Sequence, residues 1–296
     1  MNSKNKILEA WIMVEHLSEG NINLQDKTVK TLGGLQEENY YKLLKEEIQK
    51  SRFKSYRQFG IVVYFDVFSF NEVIKFLREK YHLSPSGEEI SIGDKFSFAL
   101  YFDKELKLNG EMTFFTESYY IRNYKKVPKE IEFTSFEEEN KKYIEELFEC
   151  TEDVDYEKYF NKAINKLLKK YIVDIKQCRM KVLSNMETDA ANLHSFFVRD
   201  LEKAKSIKTS NLDVYLLGKS IKRIDLDCKA ESGKFNPEII YSILQPCNYP
   251  LSRFPSNTQF ALSLMQQVAV NLATKYDNEP IRSVNGPPGT GKTTLL

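Results

Sequence analysis

Apolar residues recur every three or four positions at Ile7, Leu8, Trp11, Ile12, Val14 and Leu17, predicting an amphipathic helix over 5–18 that Gly20 stops. A Lys- and Glu-rich helix is predicted over 39–51, with Asn39 as its cap. The period then changes. Residues 56–68 read as β, with 59–65 an uninterrupted buried-strand run. A helix follows over 70–81 and a loop over 84–87. Further strands are predicted at 95–102 and 111–115, joined through the turn signal Leu108-Asn109-Gly110.

From about residue 135 the pattern becomes helical. Glu137, Glu138 and Glu139 open a charged helix to about 150. Residues 156–186 read as one long helix with an apolar stripe at Tyr159, Phe160, Ile164, Leu167, Leu168, Tyr171, Ile172 and Ile175. Its other face carries Lys162, Lys166, Lys169, Lys170, Lys176, Arg179 and Lys181. Such a face can touch nucleic-acid phosphates, although a solvated outer face is the commoner fate of a charge run. A third helix is predicted over 188–206. Short strands follow at 212–217 and 222–226, then a linker over 234–249, then an amphipathic helix over 258–276 capped by Asn257 or Thr258. The expected class is α+β: a mixed N-terminal domain over 1–134, a helical segment over 135–210, short strands and linker over 211–250, and a last segment over 251–296.

Composition narrows the classes. The 296 residues are 42% hydrophobic and 13% aromatic, with 20 Phe and 17 Tyr, enough for a packed core and against disorder. The net charge of +1 gives no global pull toward nucleic acid. The four cysteines, at 150, 178, 228 and 247, form no CxxC pair, and three scattered histidines add no zinc pattern. Scattered thiols suit a reducing cytoplasm. No apolar run is long enough for a signal peptide or a membrane span, so no membrane association is expected.

The most specific chemistry lies at 286–293, where Gly286-Pro287-Pro288-Gly289-Thr290-Gly291-Lys292-Thr293 fits G-x-x-x-x-G-K-[ST]. A triphosphate is held by inward backbone N–H groups with a helix N-terminus behind them. Glycine permits that curl, and the two prolines stiffen it. Lys292 is placed for the β- and γ-phosphates and Thr293 for Mg²⁺, with Thr294 continuing the cradle. Residues 281–284 form a short β-prone run before the loop, and 293–296 begin a helix after it.

The string Gly-Pro-Pro-Gly-Thr-Gly-Lys-Thr resembles superfamily 1 helicases, in the branch of the RNA-surveillance and DNA-replication enzymes. AAA+ ATPases share that loop. Residues 262–270 are similar to the helicase Q motif, in which a glutamine precedes an Ala-Val pair by three residues; Gln266 has that offset, with Gln267 and Gln259 as alternatives. In that family the glutamine reads the adenine edge, since an amide offers donor and acceptor side by side. The resemblance covers about 249–296. It implies the beginning of a RecA-like domain, ATP and Mg²⁺ as cofactors, DNA or RNA as the partner of the complete enzyme, and a substrate- or partner-steering role for the N-terminal domain, for which a protein partner is one possibility.

No acidic Mg²⁺-binding strand is evident before the loop. Asp66 and Asp103 each follow Tyr-Phe and read as ordinary strand-terminal residues, and the echo of the two tripeptides is too short for a repeat. The chain is therefore expected to be an N-terminal piece of a larger ATPase, with a poorly ordered loop and negligible hydrolysis of its own. The alternative is a non-enzymatic interaction or nucleic-acid-binding module with a vestigial nucleotide loop.

Overall fold

The structure, a computed structural model, describes residues 3–33, 39–53, 55–84, 93–149, 155–193, 195–217, 236–250, 261–275, 281–282 and 288–289. The chain runs α1 (Ser3–Ser18), β1 (Asn21–Ile22), β2 (Val29–Thr31), α2 (Tyr40–Lys50), β3 (Gly60–Ser69), α3 (Asn71–Tyr81), β4 (Asp94–Asp103), β5 (Phe114–Phe115), α4 (Glu117–Tyr124) and α5 (Glu130–Phe148). It continues through α6 (Tyr156–Lys170), β6 (Arg179–Leu183), α7 (Met186–Leu193), α8 (Val198–Ser206), α9 (Ser210–Leu217), α10 (Pro237–Ile243) and α11 (Leu264–Thr274). The architecture is α+β. It divides into two units, residues 8–205 and residues 1–7 with 206–296.

The larger unit is organised by β3 and β4, each ten residues long and buried over nearly its whole length. They pair antiparallel with Phe65 opposite Phe98. The sheet order is β1-β4-β3-β6-β2, with β5 also on β4. Side chains alternate between two faces, as the period of a strand requires. Ile61, Val63, Phe65, Phe98, Leu100 and Phe102 share one cluster with residues of α2, α5 and α6, including Leu44, Ile144, Phe160 and Leu167. Val62, Tyr64, Ala99 and Tyr101 face a smaller cluster with Met186. The rings of Phe65 and Phe98 stack at 4.7 Å, and those of Phe98 and Phe115 at 5.0 Å.

Both central strands change phase at one level. Past Asp66, Val67 joins the cluster of Val62 and Tyr64; past Ser97, toward the N-terminus of β4, Phe96 does the same. Asp66 lies in the left-handed region at φ 51°. No residue is inserted, because Phe65↔Phe98 and Val67↔Phe96 keep register on either side. The two strands thus bend together and turn the same face over.

Several predicted elements stand. Gly20, at φ 72°, follows α1, and a Cβ there would come within 2.4 Å of Thr116 Cγ2. Asn39 caps α2: its Oδ1 accepts from the Lys42 N–H at 3.0 Å. Four readings need correction. The stretch 156–186 is not one helix: α6 ends at Lys170, Ile172 turns at φ 53°, and 179–183 form β6 between β3 and β2. In β6, Met180 packs into the larger cluster and Leu183 into the smaller one, so tertiary burial overrides a run that local pattern reads as helix. Residues 212–217 are helical, within α9, not a strand. The helix predicted over 188–206 is two, α7 and α8, with a turn at Phe196–Phe197 between them. Of the strand predicted over 111–115, only Phe114 and Phe115 pair; 110–112 are a 3-10 turn. The strand predicted at 222–226 lies outside the described residues.

Candidate functional site

The nucleotide candidates belong to the unit that includes 206–296. Here α10 is started by Asn236, whose Oδ1 accepts from the Glu238 N–H at 3.0 Å, with Pro237 at its first position. It packs on α11, and the buried Asn271 amide of α11 donates to the Ile243 carbonyl at 2.9 Å. The amphipathic helix expected over 258–276 starts later: residues 261–263 are not helical, and Ser263 is the cap. Asn257, Thr258 and the alternative Gln259 lie outside the described residues.

Gln266 occupies the third position of α11 in a capping box. Its Oε1 accepts from the Ser263 N–H at 2.7 Å, and Ser263 Oγ accepts from the Gln266 N–H at 3.4 Å. The side chain of Gln267 donates to the Leu262 carbonyl at 3.0 Å. Of the predicted β-run, Ile281 and Arg282 carry no strand assignment, and Arg282 donates to the Lys275 carbonyl at 3.3 Å. Of the phosphate loop, Pro288 and Gly289 are described: they form an exposed turn, Gly289 at φ 81° with open space where a Cβ would be. Gly286, Pro287, Thr290, Gly291, Lys292, Thr293 and Thr294 lie outside the described residues.

The carboxylates noted in the larger unit are both engaged. Asp103 ends β4, and its Oδ1 accepts from the N–H groups of Glu105 at 2.8 Å and Lys107 at 2.9 Å, closing a turn. Asp66 is not strand-terminal. It sits inside β3, buried, where Oδ2 accepts from Ser97 Oγ at 2.5 Å and from Arg122 Nη1 at 2.6 Å. Arg122 Nε reaches Glu72 of α3 at 2.8 Å, and its guanidinium lies 4.5 Å from the Phe68 ring. This arrangement clamps α4 and α3 onto the bend and commits the Asp66 carboxylate to it. Burial pushes the nearby Cys178 thiol up to about 12, which keeps it protonated and unreactive at neutral pH.

A second polar centre joins the end of α1 to α4. His16 Nδ1 lies 3.1 Å from Glu19 Oε2, and Nε2 lies 3.8 Å from Glu117 Oε1. Burial lowers the His16 pKa, but the hydrogen bond with Glu19 and the charges of Glu117, Glu19 and Glu137 outweigh it, so the net shift is upward. The backbone N–H of Ser195 donates to Glu19 Oε1 at 2.7 Å. Lys95, buried on β4, donates to the Glu19 carbonyl at 2.5 Å and to Asn21 Oδ1 at 3.0 Å. Burial holds its pKa down to about 8, against the opposing charge of Glu19. Neither polar centre has a sequence signature, because each gathers residues that lie far apart along the chain.

Among the described residues no group of three or more His, Cys, Asp or Glu is placed to hold a metal, and no helix is long and apolar enough to cross a membrane. No family model matches the chain, and no curated protein or solved structure matches it either.

Proposed function

We propose that residues 251–296 open a RecA-like ATPase domain of the superfamily 1 helicase type, binding ATP with Mg²⁺, and that the complete enzyme acts on DNA or RNA. The observation that carries this reading is the string Gly286-Pro287-Pro288-Gly289-Thr290-Gly291-Lys292-Thr293. Supporting it, Gly289 takes the positive φ that a tight anion-binding turn requires of a residue without a Cβ. In this reading Lys292 neutralises the β- and γ-phosphates, Thr293 ligates Mg²⁺, and backbone N–H groups of the loop hold the remaining phosphate oxygens. Gln266 is the adenine-reading candidate, which requires its amide to leave the Ser263 cap. The α+β unit then steers substrate or partner.

The test is ATP turnover by the protein with its whole ATPase domain. Lys292→Ala removes the charge facing the γ-phosphate and is expected to abolish turnover. Turnover retained by that variant refutes the reading, and no turnover by the unsubstituted protein leaves a non-enzymatic interaction module with a vestigial loop.

A further inference from the structure

The lysines of α6 form a row that its packing leaves unused. The helix buries Phe160, Ala163, Ile164 and Leu167 against the larger cluster. At 100° per residue, Lys158, Lys162, Lys166 and Lys169 fall within an arc of about 80° on the opposite side, over a rise of about 17 Å. Of these, Lys158 pairs with Asp155 at 3.2 Å. Lys162, Lys166 and Lys169 are exposed, and none makes an ion pair among the described residues. The one carboxylate of α6 is turned away: Glu157 accepts from the Asn39 side chain, which caps α2. Lys170 is also off the row, its ammonium lying over the Tyr143 ring of α5. Lys176, Arg179 and Lys181 lie beyond the end of α6, so the cationic face is shorter and straighter than a helix over 156–186 would make it.

We propose that this outer face of α6 docks on the phosphate backbone of a nucleic-acid duplex, with Lys162, Lys166 and Lys169 as the phosphate contacts. The argument is charge complementarity on one element. Five lysines against one glutamate sit on α6 in a chain whose net charge is only +1, so the attraction is local. The exposed positions of the row carry no aromatic side chain: the remaining one is Asn165, and Tyr159 at its edge is half-buried with its hydroxyl donating to the Glu149 carbonyl at 2.7 Å. A single strand is gripped by stacking its bases on aromatic rings, and that platform is missing here; a duplex presents phosphates with its bases already stacked. The contact is sequence-independent because a phosphate carries no base identity. It is separate from the ATPase reading, and Lys292→Ala is expected to leave it intact.

The test is fluorescence anisotropy of the protein with a labelled duplex, from low to moderate salt. Three phosphate contacts give a slope of log K against log[salt] of about −2.7 on a duplex. The triple variant Lys162→Gln, Lys166→Gln, Lys169→Gln is expected to weaken binding ~10-fold or more at low salt and to flatten the slope toward zero. A charge-matched control, Lys27→Gln, Lys75→Gln, Lys104→Gln, removes three exposed lysines elsewhere and is expected to keep both affinity and slope. Far-UV circular dichroism checks that both variants fold. Equal weakening in the control, an unchanged slope in the α6 variant, tighter binding of a single strand, or equal competition by polyglutamate or anionic vesicles would overturn the proposal.

Discussion

Replacing Arg122 by Met tests whether the bend in the central strands is held by charge or by packing. Asp66 is buried and receives two hydrogen bonds, from Ser97 and Arg122. Met keeps an apolar body over Phe68 and removes the guanidinium. The carboxylate then stays inside with one neutral donor, and breaking a buried pair from one side costs about 3–5 kcal/mol. Arg122 is 21% exposed and Asp66 9%, so water screens the site somewhat and the lower end, about 3 kcal/mol, applies. Losing the contact with Glu72, itself 54% exposed, adds only a few tenths, about 0.3 kcal/mol. Against a typical total stability of about 5–15 kcal/mol this is a large loss. The assay is urea unfolding followed by far-UV circular dichroism, with hydrogen exchange at Phe65 and Val67 to localise the change. The companion Asp66→Gly removes the charge and relaxes the left-handed backbone. In the double variant Arg122 is no longer needed, so its loss should cost about 2 kcal/mol less than in the parent. An Arg122→Met loss under about 1 kcal/mol, or strict additivity in the double variant, would refute the clamp.

Two further outcomes follow from named contacts. Because the folded-state pKa of His16 is raised, its contribution is fully present below the unfolded value of about 6.5 and is lost as pH rises through the folded value. Thermal midpoints should therefore fall as pH rises above about 6.5 in the wild type and fall less in His16→Gln; equal pH profiles would remove His16 as the cause. Gly60→Ala places a Cβ 2.2 Å from Met186 Sδ and 2.4 Å from the Phe102 carbonyl oxygen. One of these neighbours is backbone, so a loss of about 1–3 kcal/mol is expected in urea unfolding, and a variant as stable as the wild type would show that β3 and β4 can separate there.

Where local physics decides an element, the sequence was sufficient to read it. The Asn39 cap, the stop after α1 and the two long strands each depend on a residue and its immediate neighbours. The failures occur where distant burial decides. Arg179–Leu183 continues a helical-looking stripe, but between β3 and β2 its backbone groups find ladder partners and Met180 finds the aromatic core. The left-handed Asp66 was invisible for the same reason. A Tyr-Phe-Asp string reads as a strand end, and only Ser97 and Arg122, which come from 31 and 56 residues away, make an interior position tenable. In α9 the run Leu212–Leu217 is too short for its apolar pattern to separate strand from helix, and the Thr209 hydroxyl, accepting from the Leu212 N–H at 3.3 Å, favours a helix start.

Gln266 shows how one residue can be read in two ways from sequence. Ser263-x-x-Gln266 is a capping-box signature in its own right. Sequence spacing alone does not separate a capping amide from an adenine-reading one. In the structure the amide oxygen is committed to the Ser263 N–H. That bond is worth about 1 kcal/mol, the usual scale of a net hydrogen bond or a cap. Phosphate and Mg²⁺ contacts can supply far more than that on binding, so the cap does not exclude base recognition. It gives Gln266 a defined position, which its amide would have to leave if the proposed ATP site is to use it.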